Sequence, residues 1–199
     1  MNPLRAGQQR ARPREAPPTA PALNAQHVSQ RVAPADAPFF AGPKVFVKLP
    51  PDSSGPLFSW HNHSPAITEC PNGDPLATWF SCVDEGGTEL NYLASRLRFG
   101  STEWEPASPF WNGPDINDHA PKLWWDGGKT IFHFSRGFAE NIVRTSTDNG
   151  ATWSKARVLL PHDEFGNQVL RTREGFLLIP FDHDRTSFLI SRDAGQSWT

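Results

Sequence analysis

Two copies of one short pattern constrain this chain more than any other feature. Ser146-Thr147-Asp148-Asn149-Gly150-Ala151-Thr152-Trp153 and Ser191-Arg192-Asp193-Ala194-Gly195-Gln196-Ser197-Trp198 both read S-x-D-x-G-x-[ST]-W, and they begin 45 residues apart. Each follows a run with strand character, Asn141-Ile142-Val143-Arg144-Thr145 and Ser187-Phe188-Leu189-Ile190. The Asp accepts hydrogen bonds from backbone N–H groups one or two residues on and fixes a tight turn. The Gly supplies a positive φ that a side chain would resist. The Trp returns a large apolar body beneath the turn while its N–H needs a partner. The pattern is a hairpin clamp, so Ser146, Asp148, Gly150, Trp153, Ser191, Asp193, Gly195 and Trp198 are read as structural.

A spacing of roughly 40–50 residues is the length of one β-propeller blade. Strand patterns separated by turn signals recur evenly along the chain, and no helical period is sustained. The first predicted set holds Ser64–Cys70, Leu76–Cys82 and Asn91–Leu97. Ser95 to Trp104 then reads as a decayed copy of the clamp, with Ser95, Gly100 and Trp104 kept and the Asp gone. The second set holds Pro121–Trp125, Thr130–Ser135, the run before the first clamp, and Ala156–Leu160; the third holds Gln168–Thr172, Phe176–Phe181 and Ser187–Ser191. Lys44–Lys48 reads as one further strand. The expectation is an all-β chain of about three four-stranded blades over residues 41–199. An open array of this size exposes unpaired edges, so a fragment of a larger propeller is expected, with dimerisation of three blades as the alternative.

Eight Trp and 14 Phe are enough to fill a sizeable core, and 20 Pro with 15 Gly punctuate short strands. A formal charge of −2 provides no field for nucleic acid or an anionic membrane. No stretch approaches the roughly 18 consecutive apolar residues of a membrane span. Cys70 and Cys82 lie on opposite arms of a hairpin around Asn72-Gly73, out of register for a bridge, and read as two buried thiols. Residues 1–40 are rich in Pro, Ala and Arg, lack periodicity and read as disordered. They lack the apolar core of a signal peptide.

The clamp pattern resembles the Asp box, or BNR repeat, of the sialidase (neuraminidase) superfamily. The stretches His63-Ser64-Pro65-Ala66-Ile67 to Pro71-Asn72-Gly73-Asp74-Pro75-Leu76-Ala77 and Gly175-Phe176-Leu177-Leu178-Ile179-Pro180 are also similar to that family. The resemblance covers about residues 57–199 and implies a sialidase-like propeller and a glycan substrate; no cofactor is expected, and no metal is assigned to His61, His63 and His119, since no spacing such as H-x-x-x-H on one element supports one. It further implies a secreted or periplasmic location if the true N-terminus lies elsewhere. Sialidases hold a substrate carboxylate with three arginines and use an Asp acid/base and a Tyr–Glu nucleophile. The first arginine belongs to an R-I-P motif; this chain has His63-Ser64-Pro65 there. For the acid/base, Asp84, Glu85 and Glu89 are available, with Glu89 nearest by spacing. Tyr92, the sole tyrosine, reads as a packing residue.

In a propeller, ligands meet two sets of loops at one end of the sheets. One set carries His61, Asn62, His63, Asp115, Asn117, Asp118, His119, His162, Asp163, Asn167 and Gln168. The other carries Asp84, Glu85, Glu89, Arg136, Glu140, Asp182, His183, Asp184 and Arg185. His63 and His119 each stand two residues before a Pro. The expected function is a sialidase-like glycoside hydrolase module acting on acidic glycans, of exo-α-sialidase type. Catalysis is assigned to Glu89, Glu85, Asp84 and His63. Substrate binding is assigned to His61, Asn117, Asp118, His119, Asn167, Gln168, Arg136 and Arg185. The alternatives are a non-catalytic glycan-binding propeller and a His-based lyase or glycosidase, since imidazole titrates near neutrality.

Overall fold

The computed structural model describes residues 42, 46–53, 55, 57–137, 141–159, 165–182 and 186–199. Residues 1–41 lie outside the described residues, as do Lys44, Val45, Glu140, Leu160, His162, Asp163, His183, Asp184 and Arg185. Among the described residues there is no helix. Three antiparallel sheets carry the fold. The first is β1 (His61–Glu69), β2 (Pro75–Cys82), β3 (Asn91–Arg96) and β4 (Ser108–Trp111), in that order. The second is β5 (His119–Trp125), β6 (Ile131–Arg136), β7 (Asn141–Ser146) and β8 (Arg157–Val158). The third is β9 (Leu170–Arg171), β10 (Leu177–Asp182) and β11 (Thr186–Ser191).

The predicted hairpins are present, although in the first it is Glu69 and not Cys70 that faces Pro75. Glu69 pairs with Pro75 and His61 with Cys82, so the two buried cysteines stand at opposite ends of the hairpin and remain free thiols. Two expectations change. β4 was not anticipated, because a four-residue run containing Pro109 carries little strand signal. Residues 46–48 do not form a strand; Phe46 packs edge-on to Trp79, and the Lys48 carbonyl accepts from Ala107 N at 2.6 Å.

Burial explains why the sheets stack. All six residues of β3 and seven of eight in β2 are buried, so both faces of these strands are covered. Successive side chains on a strand point to opposite faces. Leu76 accordingly joins Ala66, Leu123 and Ile131 between the first two sheets, while Ala77 and Trp79 join Leu93 on the other face. Between the second and third sheets, Phe132, Phe134, Phe165, Leu177, Ile179, Phe181 and Leu189 form the largest apolar cluster.

The two clamps fold alike. Ser146 Oγ donates to Asp148 Oδ1 (2.7 Å) and accepts from Gly150 N (2.9 Å). Thr152 donates its N–H and hydroxyl to the two Asp148 oxygens at 2.9 and 2.5 Å. Ser191, Asp193, Gly195 and Ser197 repeat this pattern at 2.8, 2.7, 2.8 and 2.5 Å. The carboxylate therefore reaches four residues along the chain, further than a simple Asx turn. These bonds hold Asp148 and Asp193 down to a pKa of about 2, with the Thr152 or Ser197 hydroxyl as the largest cause. In the Ser95–Trp104 loop, which lacks this Asp, Phe99 N donates instead to the buried Asp74 at 2.7 Å.

Each clamp also docks onto the preceding sheet. Asn149 accepts from Asn72 N through its side chain (3.1 Å) and from Arg96 through its carbonyl (2.6 Å). Arg157 likewise donates to the Gly195 and Gln196 carbonyls, at 2.9 and 2.7 Å. A Cβ on Gly195 would stand 2.5 Å from the Phe132 ring, whereas one on Gly175 would meet nothing within 4 Å; both residues have positive φ. Gly195→Ala is expected to destabilise by about 1–3 kcal/mol more than Gly175→Ala, because contact is added to backbone strain. Paired denaturant melts measure the difference, and equal losses would refute the docking account.

Between the first two sheets lies a polar inclusion. Arg144 is stacked over Trp111 (4.3 Å) and donates to His133 Nδ1 from Nε (3.2 Å) and Nη2 (3.1 Å). That contact places the His133 proton on Nε2, which has no partner among the described residues. Burial, then the Arg144 charge, pushes the His133 pKa well below its ordinary 6.5, and burial lowers Arg144 to about 10. His133 is thus neutral when folded but gains a proton below about pH 6.5 when unfolded, so its linkage lowers stability as pH falls. Stability is expected to decline between pH 7.5 and 5.5, and less steeply in His133→Gln. Urea melts at both pH values test this; identical slopes would count against it.

Candidate functional site

Backbone strain marks two equivalent places. In β1 the pairing with β2 shifts register between His63 and Ala66, and Ser64 between them has φ 49°. In β5 the pairing with β6 shifts between His119 and Lys122, and Ala120 has φ 51°. Both are β-bulges built as His, then a left-handed residue, then Pro. Proline suits a bulge because it has no N–H to give a ladder. A left-handed non-glycine residue is costly and clusters at functional sites. The recurrence of His two residues before Pro is therefore a structural repeat, and it delivers a histidine at the same end of two adjacent sheets.

At that end the strands bring four predicted residues together around one that sequence reasoning missed. Phe80, fully buried in β2, is the floor. His119 stacks on its ring at 5.0 Å, His63 meets it edge-on at 5.5 Å, and His61 lies at 6.2 Å. Above the floor, Glu85 Oε1 lies 2.8 Å from His61 Nε2 and 2.7 Å from His63 Nδ1. These bonds, His61 first, hold the Glu85 carboxyl below its usual range. Phe80 was hidden because an aromatic in an apolar strand carries no signal beyond packing.

The loop that carries Glu85 is clamped from the next sheet. Asn117 Nδ2 donates to the Glu85 and Gly87 carbonyls, both at 2.6 Å, and Leu90 and Asn117 form a parallel bridge. Asn117 is buried, so its amide is used in holding the loop. Asp118 is buried as well; it accepts from Trp111 Nε1 (2.9 Å), Gly113 N (2.5 Å) and Ser135 Oγ (3.2 Å). Burial raises its pKa despite those bonds. Tyr92 is buried too, and its hydroxyl donates to the His119 carbonyl at 2.7 Å. Desolvation, reinforced by Asp118, keeps that phenol well above its usual pKa and neutral.

The remaining predicted residues are spread around this centre. Asp84 is exposed and accepts from Gly86 N at 3.1 Å; Glu89 is exposed on the same loop. Arg136 pairs opposite His119 at the end of β6. Asn167 is exposed before β9, and Gln168 donates to the Leu123 carbonyl at 3.0 Å, linking the third sheet to the second. Arg185 lies outside the described residues. At the opposite end of the first sheet, a cleft of about 940 Å³ is lined by Arg96, Arg98, Phe110, Lys129, Asp148 and Trp153 among others.

No protein-family model matches this chain, and no curated protein matches it. Solved structures do. A Dyadobacter fermentans protein of unknown function matches with a TM-score of 0.61 and 18% identity, over 78% of this chain and 56% of that one. The Hadza microbial sialidase matches with a TM-score of 0.56 and 18% identity, over 70% and 37%. An α-L-arabinanase of Penicillium chrysogenum, complexed with arabinobiose, matches with a TM-score of 0.51 and 16% identity, over 76% and 50%.

The antiparallel sheets of this chain are similar in fold to part of these β-propeller glycosidases. The chain spans about half the length of the structures it matches, or less.

The Asn117 clamp can be tested without a substrate. Asn117→Ala leaves two loop carbonyls without their donor, a loss of about 1–3 kcal/mol if they stay buried. Amide exchange across residues 84–90 is expected to accelerate while β6 and β7 stay protected. Unchanged exchange in the loop would remove the clamp.

Proposed function

We propose that this chain is part of a carbohydrate-active propeller of glycoside-hydrolase type, its three sheets serving as three blades, acting on an acidic glycan. The site is the loop end bearing His61, His63, Glu85 and His119. The observation that carries this reading is the Glu85 carboxylate oxygen shared by two histidines over the Phe80 floor. It stands where both bulged strands begin, and bulges re-aim side chains next to active sites.

Roles follow from environment. Glu85 is held as a carboxylate, which suits orientation and charge and not proton donation. Glu89, exposed on the same loop, is assigned as the proton donor to the leaving oxygen, with Asp84 as the other available carboxylate. His61, His63 and His119 present one polar edge to the acidic group of the sugar. Asn117 and Asp118 serve this edge by positioning it. An exo-α-sialidase reaction is one form of this reading. With His63-Ser64-Pro65 in place of an arginine motif, uronic-acid glycans are equally in scope. A glycan-binding role without turnover is the second reading, favoured by the burial of Tyr92, Asn117 and Asp118 in protein contacts.

Sialosides and uronic-acid oligosaccharides are the substrates to assay. Glu89→Gln is expected to lower kcat by roughly 100-fold or more, the usual contribution of a general acid. His63→Ala is expected to raise KM more than it lowers kcat. Equal turnover in wild type and both variants would reject the site; binding without turnover in the wild type would select the second reading.

A further inference from the structure

We propose that His61, His63 and Glu85 form an open divalent-cation site of the kind that takes Zn²⁺. The site goes beyond the glycan reading and does not depend on it, since a chain inactive on every glycan would still bind the ion. His61 and His63 stand two apart on β1, a spacing that puts both rings on one face of a strand. They offer Nε2 and Nδ1 respectively, and Glu85 offers Oε1; all three atoms lie within 4.8 Å of one another. Ligands placed about 2.0–2.1 Å from a tetrahedral zinc are roughly 3.4 Å apart. The carboxylate oxygen, at 2.7–2.8 Å from each nitrogen, therefore has to withdraw by only about 0.6–0.7 Å to admit the ion.

The ligands are held before any ion arrives. His61 lies against Trp60 (5.5 Å between centroids) and His63 (5.7 Å), with Phe80 beneath both. The Glu85 backbone is tied down by Asn117. Such support from outside the ligand set is what a pre-organised site needs. Two imidazole nitrogens and one carboxylate oxygen select zinc-like cations over Ca²⁺ and Mg²⁺, which prefer all-oxygen shells. Three protein ligands leave a fourth position open, and the partly exposed side chains, 33%, 59% and 42% accessible, leave solvent or an anionic ligand room to fill it.

The experiment uses the full chain, stripped with chelator and dialysed, then titrated with Zn²⁺ by calorimetry and checked by elemental analysis. Co²⁺ in place of Zn²⁺ reports coordination through its visible absorption. One ion per chain is expected, with no comparable Ca²⁺ binding. Binding should weaken at least 10-fold in His61→Ala and in His63→Ala, and in Glu85→Gln as well. His27, His162 and His183 lie outside the described residues, so the site variants identify which histidines bind. Circular dichroism and the metal-free Tm establish that each variant folds; should a histidine variant fail, the exposed Glu85→Gln carries the test alone. Absence of stoichiometric binding overturns the proposal, as does binding that persists unchanged in the folded variants.

Discussion

Everything in this structure depends on a turn that reaches from one sheet to the next. A strand hairpin is marginal alone, and a sheet with two apolar faces needs a partner on each. The Ser-Asp-Gly-Trp turns supply the connection twice. Their Asp carboxylates close each turn upon itself through the Thr152 or Ser197 hydroxyl and N–H. Their glycines then allow the closed turn to lie on Leu76 and Arg96 in one case and on Phe132 in the other. Trp153 and Trp198 deliver aromatic mass to the two interfaces, meeting Phe110 and Phe134 edge-on at 5.2 and 6.0 Å. The result is a fixed offset between neighbouring sheets, and that offset brings the start of β5 beside the start of β1.

The candidate site is a consequence of this stacking. Sheet packing alone would leave the loop ends hydrated and independent. Here the second sheet fastens a loop of the first through Asn117, and its His119 lies on Phe80 of the first. The two His-x-Pro bulges turn their strands at matching points, so the histidines converge and do not fan outward. The polar inclusion of Asp118, Tyr92, Ser135, Arg144 and His133 lies behind them, bonded within the protein. Its role is to hold the start of β5 in place, with the Tyr92 hydroxyl gripping the His119 carbonyl.

Much of the fold was legible in residues. Asn72-Gly73 and Asp126-Gly127-Gly128 are turns because Gly73 and Gly127 take positive φ, and Asp126 caps its own turn through Gly128 N and Thr130 N. β4 was not legible, since its strand character comes from pairing with a buried β3 and not from its own composition. The site was legible in part. Loop polarity pointed to His61 and His63 in one set of loops and to Glu85 in the other, but it also enrolled Asn117 and Asp118, which the tertiary structure buries.

The sequence by itself determined the repeat and the chemistry it could carry: which turns close, which strands alternate, and that histidines and carboxylates gather in the loops. Only the tertiary structure decided which of them meet. A periodic pattern reports the local conformation of its own segment, so it locates turns and faces. It does not report the distance between His61 and Glu85, 24 residues apart, or between Asn117 and the Glu85 carbonyl, 32 apart. Those distances are set by how Phe80 is buried and by where the second sheet comes to rest.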